Sequence, residues 1–234
     1  MPHRTREKTY TVRNDEMIKT MKNKAIGVIF DLDGTLWDSS YQVGVAWQEV
    51  FDRYNVGIPV TKERMALMMG RTVPEIGEAI LPHIEPVRRA EILKACCDEE
   101  VARLDRFGGA LYDGAAEVLA KLAEEYPLFI VSNCEDGYIQ SFMGYHKTAP
   151  YIKDIECIGR TGLHKDGNIK LICQRNGLEK AVYVGDTERD MHAAHSAGLT
   201  FIHAAYGFGH GFQAEYSIGS LRGLPAVLNR IFKE

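Results

Sequence analysis

Two aspartates at the end of an apolar run are the first residues whose types and spacing could do chemistry. Asp31 and Asp33 stand two residues apart, directly after residues 25–30 (A-I-G-V-I-F). This run has the length and composition of a strand buried on both faces of a parallel sheet. In an extended chain the two side chains project to the same side, and Gly34 lets the backbone turn sharply beside a ligand. An open α/β sheet places its site at such a strand end, although Asp-Gly also marks ordinary solvated turns.

More polar side chains stand at the ends of later predicted strands and near the starts of predicted helices: Ser132, Asn133, Lys165, Asp186 and Asp190. Carboxylate oxygens from a few residues, completed by water and substrate oxygens, are the ligands that Mg²⁺ prefers. An ammonium and a hydroxyl can hold phosphoryl oxygens on which charge develops. The set therefore predicts a site for Mg²⁺ and a phosphoryl group at one edge of a sheet.

The elements that must position these residues alternate between strand and helix from residue 111 onward. Apolar runs predict strands over residues 128–131, 154–158, 181–184 and 200–203. Amphipathic segments predict helices over residues 114–125, 137–143, 168–175, 191–197 and 224–232. Regular βα units of this length predict a doubly wound parallel sheet, a Rossmann-like core with helices on both faces.

Residues 41–107 contain no strand-like run and are here called the helical block. Their apolar spacing predicts four helices, so we expect a helical subdomain inserted into an α/β core formed by residues 25–40 and 108–234. Gly108 and Gly109 form the closing seam and could act as a hinge. Arg71 lies on a loop between two of these helices, where it could reach an anionic substrate or simply remain solvated.

Composition and charge narrow the classes of partner. The chain has 234 residues, 45% of them hydrophobic, and a formal net charge of −4. Residues 1–24 carry seven Lys/Arg and three Asp/Glu and are predicted to be a flexible basic leader, which leaves an acidic body of charge −8. An acidic body offers no electrostatic footprint for nucleic acid or an anionic membrane. Five cysteines without Cys-x-x-Cys spacing, and no apolar run of membrane-spanning length, favour a cytoplasmic protein with reduced thiols.

Four motifs in a fixed order resemble the haloacid dehalogenase-like superfamily, and within it the phosphoglycolate phosphatase-like hydrolases with an α-helical cap. They are F-D-L-D-G-T-L-W-D at residues 30–38, V-S-N at residues 131–133, Lys165, and G-D-T-E-R-D at residues 185–190. The resemblance extends from residue 25 to about residue 232. The helical block lies between the first and second motifs, where that branch carries its cap.

The resemblance implies a role for each matching residue. Asp31 would be the nucleophile that forms an aspartyl-phosphate, and Asp33 would act first as acid and then as base, with a pKa above that of Asp31. Mg²⁺ would be held by the carboxylates of Asp31 and Asp186 and by the main-chain carbonyl of Asp33. Asp190 would orient a metal-bound water or Lys165. The remaining three residues would bind the phosphoryl group: Ser132, Asn133 and Lys165.

The expected function is that of a Mg²⁺-dependent phosphatase acting on a small phosphorylated metabolite. A dehalogenase on this fold would lack the second acid, so Asp33 favours phosphate chemistry. A phosphomutase of the β-phosphoglucomutase type is an alternative, but it usually carries a cap arginine a few residues after a glycine, whereas Arg71 follows Gly70 directly. A catalytically silent module that binds a phosphorylated metabolite is a second alternative, which the presence of both Asp31 and Asp33 disfavours.

Overall fold

A parallel six-stranded sheet forms the centre of the protein. The structure is a computed structural model that describes residues 25–233. Its strands are β1 (Ile26–Phe30), β2 (Trp37–Asp38), β3 (Ala110–Leu111), β4 (Leu128–Ser132), β5 (Ile152–Cys157), β6 (Lys180–Gly185), β7 (Thr200–Ala204) and β8 (Tyr216–Ile218). The sheet has the order β5-β4-β1-β6-β7-β8, and all its pairings are parallel. The predicted leader, residues 1–24, lies outside the described residues.

The helices surround this sheet and fill the segment between β2 and β3. They are α1 (Ser40–Arg53), α2 (Lys62–Ala66), α3 (Val73–Ile80), α4 (Pro86–Phe107), α5 (Ala115–Ala123), α6 (Tyr138–His146), α7 (Ile158–Thr161), α8 (Lys165–Asn176), α9 (Glu188–Ser196) and α10 (Leu224–Lys233), with 3₁₀ turns at Ala149–Tyr151 and Leu221–Gly223. Within residues 25–233, no helix is long and apolar enough to cross a bilayer.

Alternation along the buried strands divides the core between the two faces of the sheet. Val28 and Phe30 of β1 belong to the larger core, which also contains Trp47 of the helical block. Ile29, between them, belongs to the smaller core with Ile169 of α8. Because successive strand residues point to opposite faces, this division places apolar layers on both sides of the sheet. The predicted doubly wound α/β fold is confirmed.

The central position of β1 brings the ends of its neighbours to one edge. Phe30 lies in register with Ile130 of β4 and Val184 of β6, so the residues after these three strands lie side by side. The main-chain N–H of Asp31 donates to the carbonyl of Val184 over 2.8 Å, which holds the first site residue directly above the sheet. The residues predicted for the site at the ends of β1, β4 and β6 therefore lie at one edge of the sheet.

The structure differs from the sequence-based expectation at several elements. The sheet has a sixth strand, β8, whose three residues are too short for a periodic signal. β5 begins and ends earlier than predicted, at Ile152–Cys157 rather than residues 154–158, and the short helix α7 follows it. α8 begins at Lys165, three residues before the predicted start, because the turn-like K-D-G-N sequence is helical here. Lys165 is therefore the first residue of a helix, at a fixed place beside the sheet edge.

The two crossings between the helical block and the sheet are paired with each other. β2 and β3 form an antiparallel pair, Trp37 with Leu111, which the sequence did not predict. A Cβ on Gly109 would lie 2.7 Å from Cε3 of buried Trp37, and one on Gly108, whose φ is +62°, would lie 2.2 Å from Cδ1 of Tyr145. Proline cannot adopt a positive φ. Replacing Gly108 and Gly109 with two prolines would therefore strain the fold, so this change would not test whether the two glycines act as a hinge. The division into core and inserted subdomain stays a prediction.

Candidate active site

A buried lysine joins two aspartates at the edge of the sheet. Lys165 Nζ donates to Oδ1 of Asp31 over 2.9 Å and to Oδ1 of Asp190 over 2.6 Å. The side chains are almost inaccessible, with exposed fractions of 5% for Lys165, 2% for Asp31 and 0% for Asp190. Burial alone lowers the pKa of Lys165, but the charges of Asp190 and Asp31 outweigh it and hold that pKa above its ordinary value. The lysine therefore stays charged between the two carboxylates.

Two carboxylate oxygens at this edge are buried without a hydrogen-bond partner among residues 25–233: Oδ2 of Asp31 and Oδ1 of Asp186. Asp186 follows β6, and its other oxygen accepts hydrogen bonds from the main-chain N–H groups of Phe208 (2.7 Å) and Gly209 (3.2 Å). Ligand atoms of Asp31, Asp186 and Asp190 all lie within 4.8 Å of one another. Unpaired buried carboxylate oxygens are costly, and a hard divalent cation would satisfy both. The donor set fits Mg²⁺.

Asp190 has little capacity left for a metal because both of its oxygens have protein partners. Oδ1 accepts from Lys165, and Oδ2 accepts from the main-chain N–H (3.0 Å) and the hydroxyl (2.6 Å) of Thr187. Thr187 caps α9, and its hydroxyl oxygen accepts in turn from the N–H of Asp190. This capping box fixes the Asp190 carboxylate toward Lys165. The geometry agrees with the predicted orienting role of Asp190.

The buried charges shift the acidity of the metal-facing aspartates. Burial and the charge of Asp190 raise the pKa of Asp31 well above its ordinary value, against the opposing effect of Lys165. Burial and the charge of Asp190 also raise the pKa of Asp186 to about 7. The expectation that Asp31 is ionised while Asp33 is protonated therefore depends on a bound cation, since Lys165 alone does not offset burial.

Asp33 accepts hydrogen bonds from two hydroxyl groups, one from a residue near it in the sequence and one from a distant residue. Its Oδ1 accepts from Ser39 Oγ over 2.6 Å and from Tyr138 OH over 3.0 Å, and the two hydroxyl oxygens are 2.7 Å apart. Burial raises the pKa of Asp33 to about 6, although both hydrogen bonds oppose the shift. A carboxyl group that titrates near neutral pH can both donate and accept a proton. Asp33 is therefore equipped for acid–base chemistry.

A cavity of about 50 Å³ separates this edge from the helical block. Ser132, the last residue of β4, and Asn133, which follows it, line the cavity from the sheet side, and Arg71 lines it from the block. The Asn133 amide also donates to the carbonyl of Gly70 over 2.9 Å, so one of its donors joins β4 to the block. The structure thus brings two of the three predicted phosphate-binding residues, Ser132 and Asn133, to one cavity with Arg71, whereas Lys165 contacts Asp31 beside it.

Several groups at the site were not predicted from the sequence. They are the side chains of Ser39, Glu100, Tyr138 and Thr187 and the main-chain groups of residues 208–209. Thr187 carries a readable signal, because Thr-x-x-Asp ahead of a helix is a capping-box pattern. The glycine-rich G-F-G-H-G at residues 207–211 is a second one. Tyr138 and Glu100 show no local signal, since each reaches the site from a distant part of the chain.

Comparison with known proteins agrees with this geometry. The family model of haloacid dehalogenase-like hydrolases matches residues 28–204. The chain belongs to the haloacid dehalogenase-like hydrolase family. This hydrolase is 26% identical over 212 residues to a phosphoglycolate phosphatase of Shigella dysenteriae, covering 79% of this chain and 83% of that protein. It is 27% identical over 205 residues to a phosphoglycolate phosphatase of Aliivibrio fischeri, covering 79% and 86%.

A solved structure supports the same fold. A haloacid dehalogenase-like family hydrolase from Streptococcus pneumoniae superposes with a TM-score of 0.75 at 22% identity, covering 87% of this chain and 99% of that one. The resemblance predicted from the four motifs is confirmed. The haloacid dehalogenase-like hydrolase described here is an enzyme of the phosphoric monoester hydrolase class.

Proposed function

We propose that this hydrolase is a Mg²⁺-dependent phosphatase that cleaves a small phosphorylated metabolite through an aspartyl-phosphate on Asp31. The observation that carries the proposal is the pair of unpartnered buried oxygens, Asp31 Oδ2 and Asp186 Oδ1, beside a charged Lys165. These two oxygens, with the main-chain carbonyl of Asp33, would hold Mg²⁺. The bound ion would keep Asp31 ionised and neutralise charge on the phosphoryl oxygens.

The residues of the chain divide the remaining chemistry. A carboxylate oxygen of Asp31 attacks phosphorus, and the bond to the leaving oxygen breaks as Asp33 donates its proton to that oxygen. Ser132 and Lys165 bind the phosphoryl oxygens on which charge develops. Asp33, now ionised, takes a proton from the attacking water, and hydrolysis returns Asp31 and inorganic phosphate. Ser39 and Tyr138 keep the Asp33 carboxyl in place through both steps.

We propose further that the helical block is a cap that opens to admit substrate. Pockets that bind small molecules usually measure about 300–1,000 Å³, and the cavity of about 50 Å³ over Asp31 is far smaller. The block is held against the sheet edge by the Asn133–Gly70 hydrogen bond and by an ion pair of 2.9 Å between Arg189 of α9 and Glu75 of α3. A closed block excludes water from the first step.

The proposal is tested by release of phosphate from 4-nitrophenyl phosphate and from a panel of phosphorylated metabolites. Asp31→Asn should lower turnover by at least about 10³-fold without loss of fold, because the amide is nearly isosteric but not nucleophilic. Asp105→Asn, an exposed aspartate on α4, is the matched control and should keep full turnover. Substantial phosphate release by Asp31→Asn would refute the nucleophile. Transfer of phosphate between substrate positions without release would instead favour a phosphomutase.

A further inference from the structure

A buried carboxyl group in the helical block has no cationic partner within the part of the chain that the structure describes. Glu100 lies on α4 and is 5% exposed. Its Oε2 accepts a hydrogen bond of 2.7 Å from the indole Nε1 of Trp47 on α1. Its Oε1 has no hydrogen-bond partner among residues 25–233. A carboxyl group with a purely structural role would be expected to have both oxygens satisfied.

Glu100 lines the same cavity as Asp31 and Asp33. It faces the acid pair from the block, while Met65 and Ile76 supply apolar walls. Because Glu100 lies on the block side of this cavity, the leaving group of an ester attacked by Asp31 would extend toward it. Glu100 and Asp33 are also close enough to interact, because the charge of Asp33 adds to the effect of burial in raising the pKa of Glu100 to about 8.

We propose that Glu100 is a specificity-determining residue whose carboxyl group hydrogen-bonds a hydroxyl on the leaving group, which makes the substrate a small polyol or sugar phosphate. This inference rests on the proposed phosphatase function. A hydroxyl fits because it can donate and accept, so it pairs with Glu100 in either protonation state. Arg71 lines the same cavity and is the group that would pair with a leaving-group carboxylate, so the assignment of a hydroxyl partner concerns the Glu100 wall alone.

The test compares two esters of nearly equal size, glycerol 1-phosphate and n-propyl phosphate, which differ in hydroxyl groups. The wild-type enzyme should favour glycerol 1-phosphate by at least about 10²-fold in kcat/KM, because a site built for a hydroxyl rejects the analogue that lacks it. Glu100→Leu should reduce this ratio to below about 10, mainly through loss of activity on glycerol 1-phosphate. Glu100→Gln keeps a polar group of the same shape and should retain most of the ratio.

Two further variants separate recognition from a structural role. Glu91→Leu changes an exposed glutamate on the same helix and should leave the ratio unchanged. Trp47→Phe removes the hydrogen bond to Oε2 but keeps the Glu100 side chain. It therefore still allows kcat/KM for the two esters to be compared if Glu100→Leu does not fold. Preservation of the substrate ratio in Trp47→Phe, with any loss equal on both esters, is the expected result.

The outcomes distinguish this inference from the proposed function. Equal losses on both esters in Glu100→Leu, with the ratio unchanged, would overturn the assignment of Glu100. A wild-type preference for 2-phosphoglycolate over glycerol 1-phosphate that persists in Glu100→Leu would also overturn it. Absence of phosphate release from every ester, 4-nitrophenyl phosphate included, would instead refute the phosphatase function itself.

Discussion

At the scale of single residues, the site depends on carboxyl groups that occupy very different surroundings. Asp31 and Asp186 each have one carboxylate oxygen without a hydrogen-bond partner among residues 25–233. Both carboxylate oxygens of Asp190 have such partners. Asp33 Oδ1 accepts from two hydroxyl groups, and Glu100 Oε2 accepts from an indole. Different surroundings thus suit one residue type to different proposed roles: the first two would hold a cation, the third is paired with a lysine, and Asp33 would transfer a proton.

The hydroxyl of Tyr138 should tune the acidity of Asp33. Its hydrogen bond favours the ionised carboxylate, so Tyr138→Phe should raise the Asp33 pKa above its value of about 6. A hydrogen bond of about 0.5–1.5 kcal/mol corresponds to a shift of up to about one pH unit. The basic limb of kcat/KM against pH should move upward by that amount if Asp33 must be protonated in the first step. Tyr41→Phe, at an exposed tyrosine, is the control; identical profiles would contradict the prediction.

Glu100 should make the stability of the protein depend on pH. Burial, together with Asp33 and Glu135, raises its pKa from 4.5 to about 8, against the opposing hydrogen bond from Trp47. The folded state then binds the proton more tightly than the unfolded state, so the contribution to stability is complete below pH 4.5 and is lost as the pH rises through 8. The full shift corresponds to at most about 5 kcal/mol.

The measurement is the free energy of unfolding in urea between pH 5 and 8.5, with chelator present, for the wild type and Glu100→Gln. The free energy of unfolding of Glu100→Gln relative to that of the wild type should increase steadily as the pH rises, because the glutamine side chain does not ionise. The other buried acids are common to both proteins and cancel in the comparison. A difference that does not vary with pH would show that Glu100 ionises as readily when folded as when unfolded.

At the scale of elements, the position of the helical block is set by pairings between distant segments. β2 pairs with β3 where the chain leaves and re-enters the sheet domain, and α3 meets α9 through the Glu75–Arg189 ion pair. Glu75 has a second role, because its Oε2 accepts from the N–H of Thr72 at the start of α3. The ion pair therefore joins two helix starts, one on each side of the cavity.

Loss of this ion pair should weaken closure more than folding. Arg189→Ala removes an exposed pair worth about 0–1 kcal/mol, so the unfolding free energy should change by no more than that. If closure contributes to binding, KM should rise by up to about fivefold. Arg222→Ala removes a similarly exposed arginine whose partners, Asp113 and Glu117, lie outside the helical block, and it should leave KM unchanged. Equal KM values in both variants would contradict a role for the pair in closure.

At the scale of the whole molecule, the cluster of buried acids couples metal binding to stability. A ligand that binds the folded state alone stabilises it by about 2.7 kcal/mol at one hundred times its dissociation constant. Mg²⁺ should therefore raise the melting temperature relative to chelator by about 5–10 °C for a chain of this size. The shift should disappear in Asp186→Asn, which removes one of the unpartnered carboxylates, and persist in Asp105→Asn. An equal shift in Asp186→Asn would exclude Asp186 as a ligand.

Activity should follow the same ion. Turnover should be lost in chelator and restored by Mg²⁺, whereas Ca²⁺, which is larger and looser in its geometry, should bind and inhibit. Full activity in chelator would refute the metal-dependent reaction. The cytoplasmic location and the absence of nucleic-acid or membrane partners remain predictions from composition.

The sequence by itself determined the sheet and the residues at its edge. Buried strands can be recognised in the sequence as apolar runs. The carboxyl ends of parallel strands meet at one edge of the sheet, so Asp31, Ser132 and Asp186 could be grouped from the sequence alone. Lys165 and Asp190 followed from their spacing to these motifs. Errors fell on short or turn-like segments, such as β8 and the start of α8, where too few residues establish a period.

Only the tertiary structure decided what surrounds those residues. Tyr138 reaches Asp33 across 105 positions of sequence, and Trp47 reaches Glu100 across 53. Such contacts depend on how the helical block packs against the sheet, and local composition does not encode that packing. The same packing leaves no room for a side chain at Gly108 or Gly109, because an added Cβ would meet Tyr145 or Trp37, while the role of these glycines as a hinge stays a prediction. The local sequence pattern determines which groups lie at the sheet edge. Long-range packing determines their hydrogen bonds, their charge and the space around them.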